Sequence, residues 1–382
     1  MKNRIYKYIF HEFIRNFIVT LFAFAAVIWT IQAVNFLDLV IEDGHAFKIY
    51  LLYSLLTISK VLTKLIPFSF LIASIITILK LERDNELIVL WTSGLNKIFI
   101  VNLIFCISIL MMFVQLLMAT IINPKTLNIS RTLLKNSELQ FIPSLLKVKQ
   151  FNDTLKGLTI FVENKKVNGT YENIFIKDEG RVLTQVSGAS STIFAKSGYS
   201  TKDGKNLILF NGNIQTLDAD GGVGIVTFNK TTINLSGLST KTTAEPKIQE
   251  TSSIRIIQCM QEKNIYVKNC IRGKDNDIEV KKQHLTQNKI EFNRRFGMPI
   301  FIPLVALISC FLLLSRNEKK ISGFYKYIFF FIGFAILVGS EITVRYSGTS
   351  LNHAAIYYLI PIGLIPFVYL SLIRTFKYEN LN

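Results

Sequence analysis

Six long apolar stretches, three on either side of a long polar block, set the pattern of this chain. Residues 16–37 carry no charge. Residues 49–79 are interrupted by Lys60 and Lys64, and residues 98–124 form the third stretch. Beyond the polar block come residues 296–315, 327–344 (carrying Glu341) and 346–373. The hydrocarbon core of a bilayer is about 30 Å thick and takes about 20 helical residues to cross, so each stretch can span it. Unpaired backbone is not tolerated there, so each must be a helix. The pattern predicts an α-helical membrane protein with six transmembrane helices in a 3+3 arrangement and a separate module between helices three and four.

Within the polar block, residues 158–235 alternate apolar and polar in short runs, separated by turn signals such as Asn168-Gly169 and Asp220-Gly221-Gly222. Short strands at this spacing predict an antiparallel sandwich or a β-jelly roll. Phe161, Phe175, Phe194, Phe210 and Phe228 recur in the strands. They read either as a plain core or as an inward aromatic slot for acyl chains. The expected organisation is residues 1–124 as helices one to three, 125–253 as the jelly roll, 254–295 as a helical connector and 296–382 as helices four to six.

Charge sets the orientation. The chain has 43 Lys+Arg against 26 Asp+Glu, a net charge of +17, spread along its length rather than striped on one element. That argues against nucleic acid and for topology and anionic lipid. Basic residues crowd the N-terminal tail, the loop of residues 316–320 and the C-terminal tail, whereas Asp38, Glu42 and Asp43 follow the first stretch. Both termini are therefore expected in the cytoplasm and the polar block outside, which in a bacterium is the periplasm. Of the four cysteines, Cys106 and Cys310 fall in predicted spans. Cys259 and Cys270 lie in the outer block, where a disulfide is permitted.

No nucleophile, metal or phosphate-loop motif is present, so the chain is expected to be no enzyme and to bind no metal or cofactor itself; ATP and Mg would act in a partner. The strongest local signal is the cytoplasmic loop of residues 82–94. Asp84 is placed to cap a short helix and Gly94 to end it. Leu87, Leu90 and Trp91 share one face, and Glu82 and Glu86 supply charge. Such a helix either lies along the membrane surface or meets a cytoplasmic partner. Lys60 and Lys64 are one turn apart; Glu341 and Arg345 are likewise one turn apart, in the outer half of their span. Charges at that depth face a cavity or a partner, or snorkel. They are candidates for holding a lipid headgroup.

The six spans, the 3+3 split, the strand-rich outer block and the stretch Asn85-Glu86-Leu87-Ile88-Val89-Leu90-Trp91-Thr92-Ser93-Gly94 together resemble the lipopolysaccharide export permeases LptF and LptG. Glu291-Phe292-Asn293-Arg294-Arg295-Phe296 is more similar to LptF. The resemblance implies one of two sister permeases, paired with two cytoplasmic ATPase subunits. The complex would extract lipopolysaccharide from the outer leaflet of the Gram-negative inner membrane and pass it to a periplasmic jelly-roll bridge, in outer membrane biogenesis. It also implies that residues 82–94 are the coupling helix seated on the ATPase, with Glu86 at the family's recurrent glutamate. The family places basic residues at the outer end of the first span; this chain has Asn35 and Asp38 there. Competing readings are a membrane-anchored periplasmic sensor, a permease for another lipid or for lipoproteins, and an intramembrane enzyme. Six spans and a coupling helix argue against the first, and the lack of paired acids or metal ligands against the last.

Overall fold

The computed structural model describes residues 2–41, 46–137, 148–155, 157–166, 168–179, 190–201, 206–217, 222–234, 247–260, 278–314 and 319–379. Six helices in it are long and apolar enough to cross a membrane. The first is α1 (Lys2–Asn35) and the second α2 (Phe47–Arg83). A short helix, α3 (Glu86–Thr92), precedes α4 (Lys97–Leu117). The latter continues through a π-helical turn, Met118–Ile122, into helix Asn123–Ser137. After the strands come α5 (Ser253–Met260) and α6 (Ile278–Gly297), which runs through a 3-10 turn into α7 (Phe301–Ser309) to make the fourth span. The last two spans are α8 (Lys319–Tyr346) and α9 (Leu351–Glu379).

The chain forms two compact units. One comprises Met1–Thr30, Thr57–Leu127 and Lys247–Asn382. The fourth span is its centre: 72% of its most apolar window is buried, against 17% for the first and 17% for the sixth. All nine residues of α7 are buried. Ile302, Ala306, Leu307 and Cys310 pack with Phe13, Ile66, Phe70 and Ile104 in one cluster. The outer helices turn large apolar side chains away from the protein, among them Val19, Phe22, Leu359 and Phe367. In water such a surface would drive association; against acyl chains it is the expected covering.

The other unit comprises Ile31–Leu56 and Asn128–Pro246. Its first part is the turn between spans one and two, closed by Tyr50 Oη donating to Ala33 O (2.9 Å) and by the Phe36 and Tyr53 rings at 5.0 Å. The rest carries six strands: β1 (Phe151–Leu155), β2 (Leu158–Lys165), β3 (Tyr171–Asp178), β4 (Ser190–Ser200), β5 (Asn206–Leu217) and β6 (Val223–Asn234). They form one antiparallel sheet in sequential order, a meander, so the described strands make no Greek-key crossing. A crease crosses the sheet. Every ladder from β2 to β5 skips one row: Val162↔Ile174 gives way to Asn164↔Glu172, Ile174↔Ala195 to Glu172↔Ser197, and Ala195↔Gly212 to Ser197↔Phe210. Asn173 and Asn211 lie in that row with φ of 50° and 52°. Asparagine tolerates this left-handed region better than most side chains. Residues on the two sides of the row therefore exchange faces. Tyr171 and Ile174 are both buried although three apart, a spacing that an unbroken strand would put on opposite faces. The two leaves share one aliphatic core: Leu158, Ile160, Val162, Ile174, Ile176 and Ile193 on one side, Tyr171, Leu207, Leu209 and Ile233 on the other.

The phenylalanines do not form a common inward face. Phe161, Phe175 and Phe194 are cross-strand partners on the face opposite the aliphatic core. With Phe151 they make a row of rings 4.7–6.2 Å apart, open at Phe151 (69% exposed) and Phe194 (41%). Phe210 lies beyond the crease, stacked on Tyr199 at 5.9 Å. Phe228 alone of the five packs against the aliphatic core. Both faces of these strands are apolar, so alternation could not choose between them.

Candidate functional site

A cavity of about 240 Å³ opens among the second to fifth spans. Lys60 and Lys64 reach it from α2, where one helical turn puts them on the same side. The third span contributes Gln115, Ala119 and Asn123. The π-helical turn inserts an extra residue at Met118–Ile122, within this lining. Such bulges are local departures from helical geometry and recur at functional sites. From α6 come Glu291, Arg294 and Arg295, and from α8 Glu341. Four cationic side chains thus meet two carboxylates.

The carboxylates are taken by the arginines. Arg294 Nη2 donates to Glu341 Oε1 at 2.9 Å, and Arg294 Nη1 lies 3.6 Å from Glu291 Oε2. Arg295 Nε donates to Glu291 Oε1 at 3.0 Å. Among the described residues no carboxylate lies within ion-pair distance of half-buried Lys60 or of Lys64. Arg294 Nε and Gln115 Oε1 are buried without a hydrogen-bond partner among the described residues. Uncompensated cations, a free donor and a free acceptor in one partly desolvated pocket suit an anionic ligand that also carries hydroxyls.

The structure brings the predicted Lys60, Lys64 and Glu341 together. It leaves Arg345 exposed and outside the cavity lining. Glu291, Arg294 and Arg295 were read from sequence only as a family-like stretch.

The loop of residues 82–94 does hold a helix, α3, but it begins differently. Asn85, not Asp84, is the N-cap, with φ 57° and no side-chain capping bond. Gly94, at φ 83°, ends it as expected. The apolar face is turned into the protein itself: Leu87 is buried, and Leu90 and Trp91 pack against the same cluster. Lys97 Nζ lies 5.8 Å from the Trp91 ring centre. Glu86 accepts from Tyr8 Oη of α1 at 2.7 Å. The face left open carries Ile88 (58% exposed) and Val89 (65%), with Glu82 and Asp84 also exposed. Close by on α1, buried Glu12 accepts from Arg15 Nη2 at 2.7 Å and from Lys80 Nζ at 2.5 Å.

Cys259, on α5, is buried and disulfide-bonded. Cys270 lies outside the described residues, as do residues 42–45 and 315–318 of the loops used to assign orientation. Cys106 and Cys310 are free thiols. No cluster of metal-ligating side chains occurs among the described residues.

These features define a multi-pass membrane protein with a large antiparallel sheet inserted between its third and fourth spans and a charged cavity among its helices. Residues 7–375 match the family model of the lipopolysaccharide export system permease LptF/LptG, and the chain belongs to that family. It is also 26% identical over 241 residues to a protein of Rickettsia prowazekii (strain Madrid E) described as "Uncharacterized protein RP871". That similarity covers 62% of this chain and 64% of the relative.

Proposed function

We propose that this chain is a permease subunit of an ATP-driven complex that extracts lipopolysaccharide from the inner membrane's outer leaflet and passes it to a periplasmic bridge. Membership of the LptF/LptG family across nearly the whole chain carries this reading. In it the chain pairs with a sister permease and with two ATPase subunits that hold ATP and Mg. Both termini and α3 face the cytoplasm, and the sheet faces the periplasm. The turn between spans one and two belongs to the same compact unit as the sheet, which supports placing both on one side of the membrane.

The cavity supports the same reading. Lys60 and Lys64 would donate to phosphate oxygens of the headgroup, Arg294 Nε to a further oxygen, and Gln115 Oε1 would accept from a sugar hydroxyl. Pro67, Phe68 and Met298, which also line the cavity, would meet the first methylenes of the acyl chains. In the sheet unit, the open aromatic row at Phe151 and Phe194 is the surface offered to acyl chains, since the aliphatic side chains are buried against one another. This row takes the place of the inward slot of a jelly roll. On α3, the ATPase would meet Ile88 and Val89, since Leu87 and Trp91 are occupied by the chain's own core.

Purification from the native membrane in mild detergent tests the assembly. An ATPase and a second six-span permease are expected to co-purify, and Val89→Asp is expected to deplete the ATPase. A chain that purifies alone would overturn the proposal. Lipid retained by the purified complex tests the cavity. Lys60→Glu combined with Lys64→Glu reverses two charges in a partly desolvated site and should lower bound lipopolysaccharide by about tenfold. Unchanged loading in a stably folded double variant would return both lysines to snorkelling.

A further inference from the structure

The chain returns from the strands to the spanning unit at Lys247, and residues 247–253 run as a strap beside the charged cavity. Gln249 lines that cavity. Lys247, Ile248 and Gln249 share an adjoining recess of about 360 Å³ with Lys60. The strap has little structure of its own: one 3-10 turn, Ile248–Glu250, with Glu250 Oε2 accepting from Lys247 N at 3.1 Å.

One buried side chain gathers its carbonyls. Arg295 is 3% exposed. Its Nη1 donates to Thr251 O and to Ser253 Oγ, each at 3.0 Å. Its Nη2 donates to Gln249 O at 3.2 Å and Ile248 O at 3.4 Å. Nε is fixed by Glu291. Ser253 Oγ in turn donates to Thr120 O in the π-helical turn at 3.0 Å. Three strap carbonyls are therefore gathered by one guanidinium, whose planar fork suits several acceptors at once. Arg295 spends both terminal nitrogens on the strap, whereas its neighbour Arg294 keeps Nε free beside the cavity. Glu291 joins the two arginines, one oxygen to each.

We propose that Arg295 is a latch: it positions the strap of residues 247–253 as a cover beside the headgroup cavity, and its release opens that cavity. The proposal rests on the reading of this cavity as the headgroup site and assigns its regulation. An anion that settles at Lys60 and draws on Arg294 competes with Glu291 for the arginine pair and loosens the latch from inside.

Labelling kinetics on the assembled complex test the latch. With Cys106 and Cys310 changed to serine, a Thr63→Cys reporter faces the cavity from a site 8% exposed. A charged, membrane-impermeant maleimide should label it slowly. Arg295→Gln should speed labelling by about tenfold, and Arg295→Lys, which keeps the charge but loses the fork, by several-fold. Ser253→Ala removes one strap bond and the bond to Thr120, leaves Arg295 in place, and should give a smaller rise. It serves as the decisive variant if Arg295→Gln does not assemble. A Ser309→Cys reporter, fully buried in the fourth span, should stay unlabelled throughout. Equal Thr63→Cys rates in all backgrounds, or parallel gains at Ser309→Cys, would overturn the latch. Added lipopolysaccharide should protect Thr63→Cys. Faster labelling in the variants without protection by the lipid would sink the headgroup reading and keep the latch.

Discussion

Gly212→Ala is expected to unfold the sheet unit while leaving the spanning helices in place. A Cβ at this position would sit 2.1 Å from Phe194 O and 2.5 Å from the Phe228 ring. The ring can turn aside. The carbonyl cannot, because Phe194 lies in the paired β4–β5 ladder next to the crease. Relief requires separating two strands at the line where the sheet already bends. Overpacking a well-filled site typically costs 1–3 kcal/mol, and a clash with backbone belongs at the upper end, so about 3 kcal/mol is expected. Limited proteolysis of the purified protein should cut between residues 148 and 234 in the variant but not in the parent. Gly222→Ala, where an added Cβ meets nothing within 4 Å, is the control. Parental resistance in Gly212→Ala would show that the crease is looser than described.

The second large effect is expected at Glu12. Its side chain is 6% exposed and takes both Arg15 and Lys80, the latter 28% exposed. Breaking a buried pair leaves an uncompensated charge and costs 3–5 kcal/mol when both partners are fully enclosed. Lys80 can partly reach solvent, so about 2 kcal/mol is expected for Glu12→Ala. Lys80→Ala should cost less, and the double variant should lie well short of additive, with a coupling of about 1–2 kcal/mol by thermal denaturation in detergent. Strict additivity would mean the two side chains do not interact. The pair fastens the first span to the second beside the point where Tyr8 holds Glu86. Loss of Glu12 should therefore also loosen the contact between α1 and α3 made by Tyr8 and Glu86.

The spans were legible because a bilayer imposes length and apolarity on every one of them, and charges such as Lys60, Lys64 and Glu341 stand out against that background. Glu291, Arg294 and Arg295 did not stand out. They sit where the fourth span meets polar sequence, and charges are ordinary there. The strands were legible by alternation, but the crease was not, since it depends on Asn173 and Asn211 entering a backbone region that asparagine permits without requiring. With both strand faces apolar, the aromatic row could not be told from the core. On α3 the one-sided pattern of Leu87, Leu90 and Trp91 was real, yet periodicity says only that a face is buried, not against what. Asn85 took the capping place expected for Asp84 because its conformation, rather than a side-chain bond, starts the helix.

The burial of the fourth span has a consequence for how the protein is made. Its residues Ile302, Ala306 and Leu307 fill the seam between helices synthesised long before them. The first three spans therefore enter the membrane with that seam empty and with Lys60 and Lys64 lacking Glu291 and Glu341, the carboxylates that later line their cavity. All the strands are translated before the filling helix arrives. Through that interval the nascent bundle exposes polar side chains and an unfilled seam that the finished protein covers.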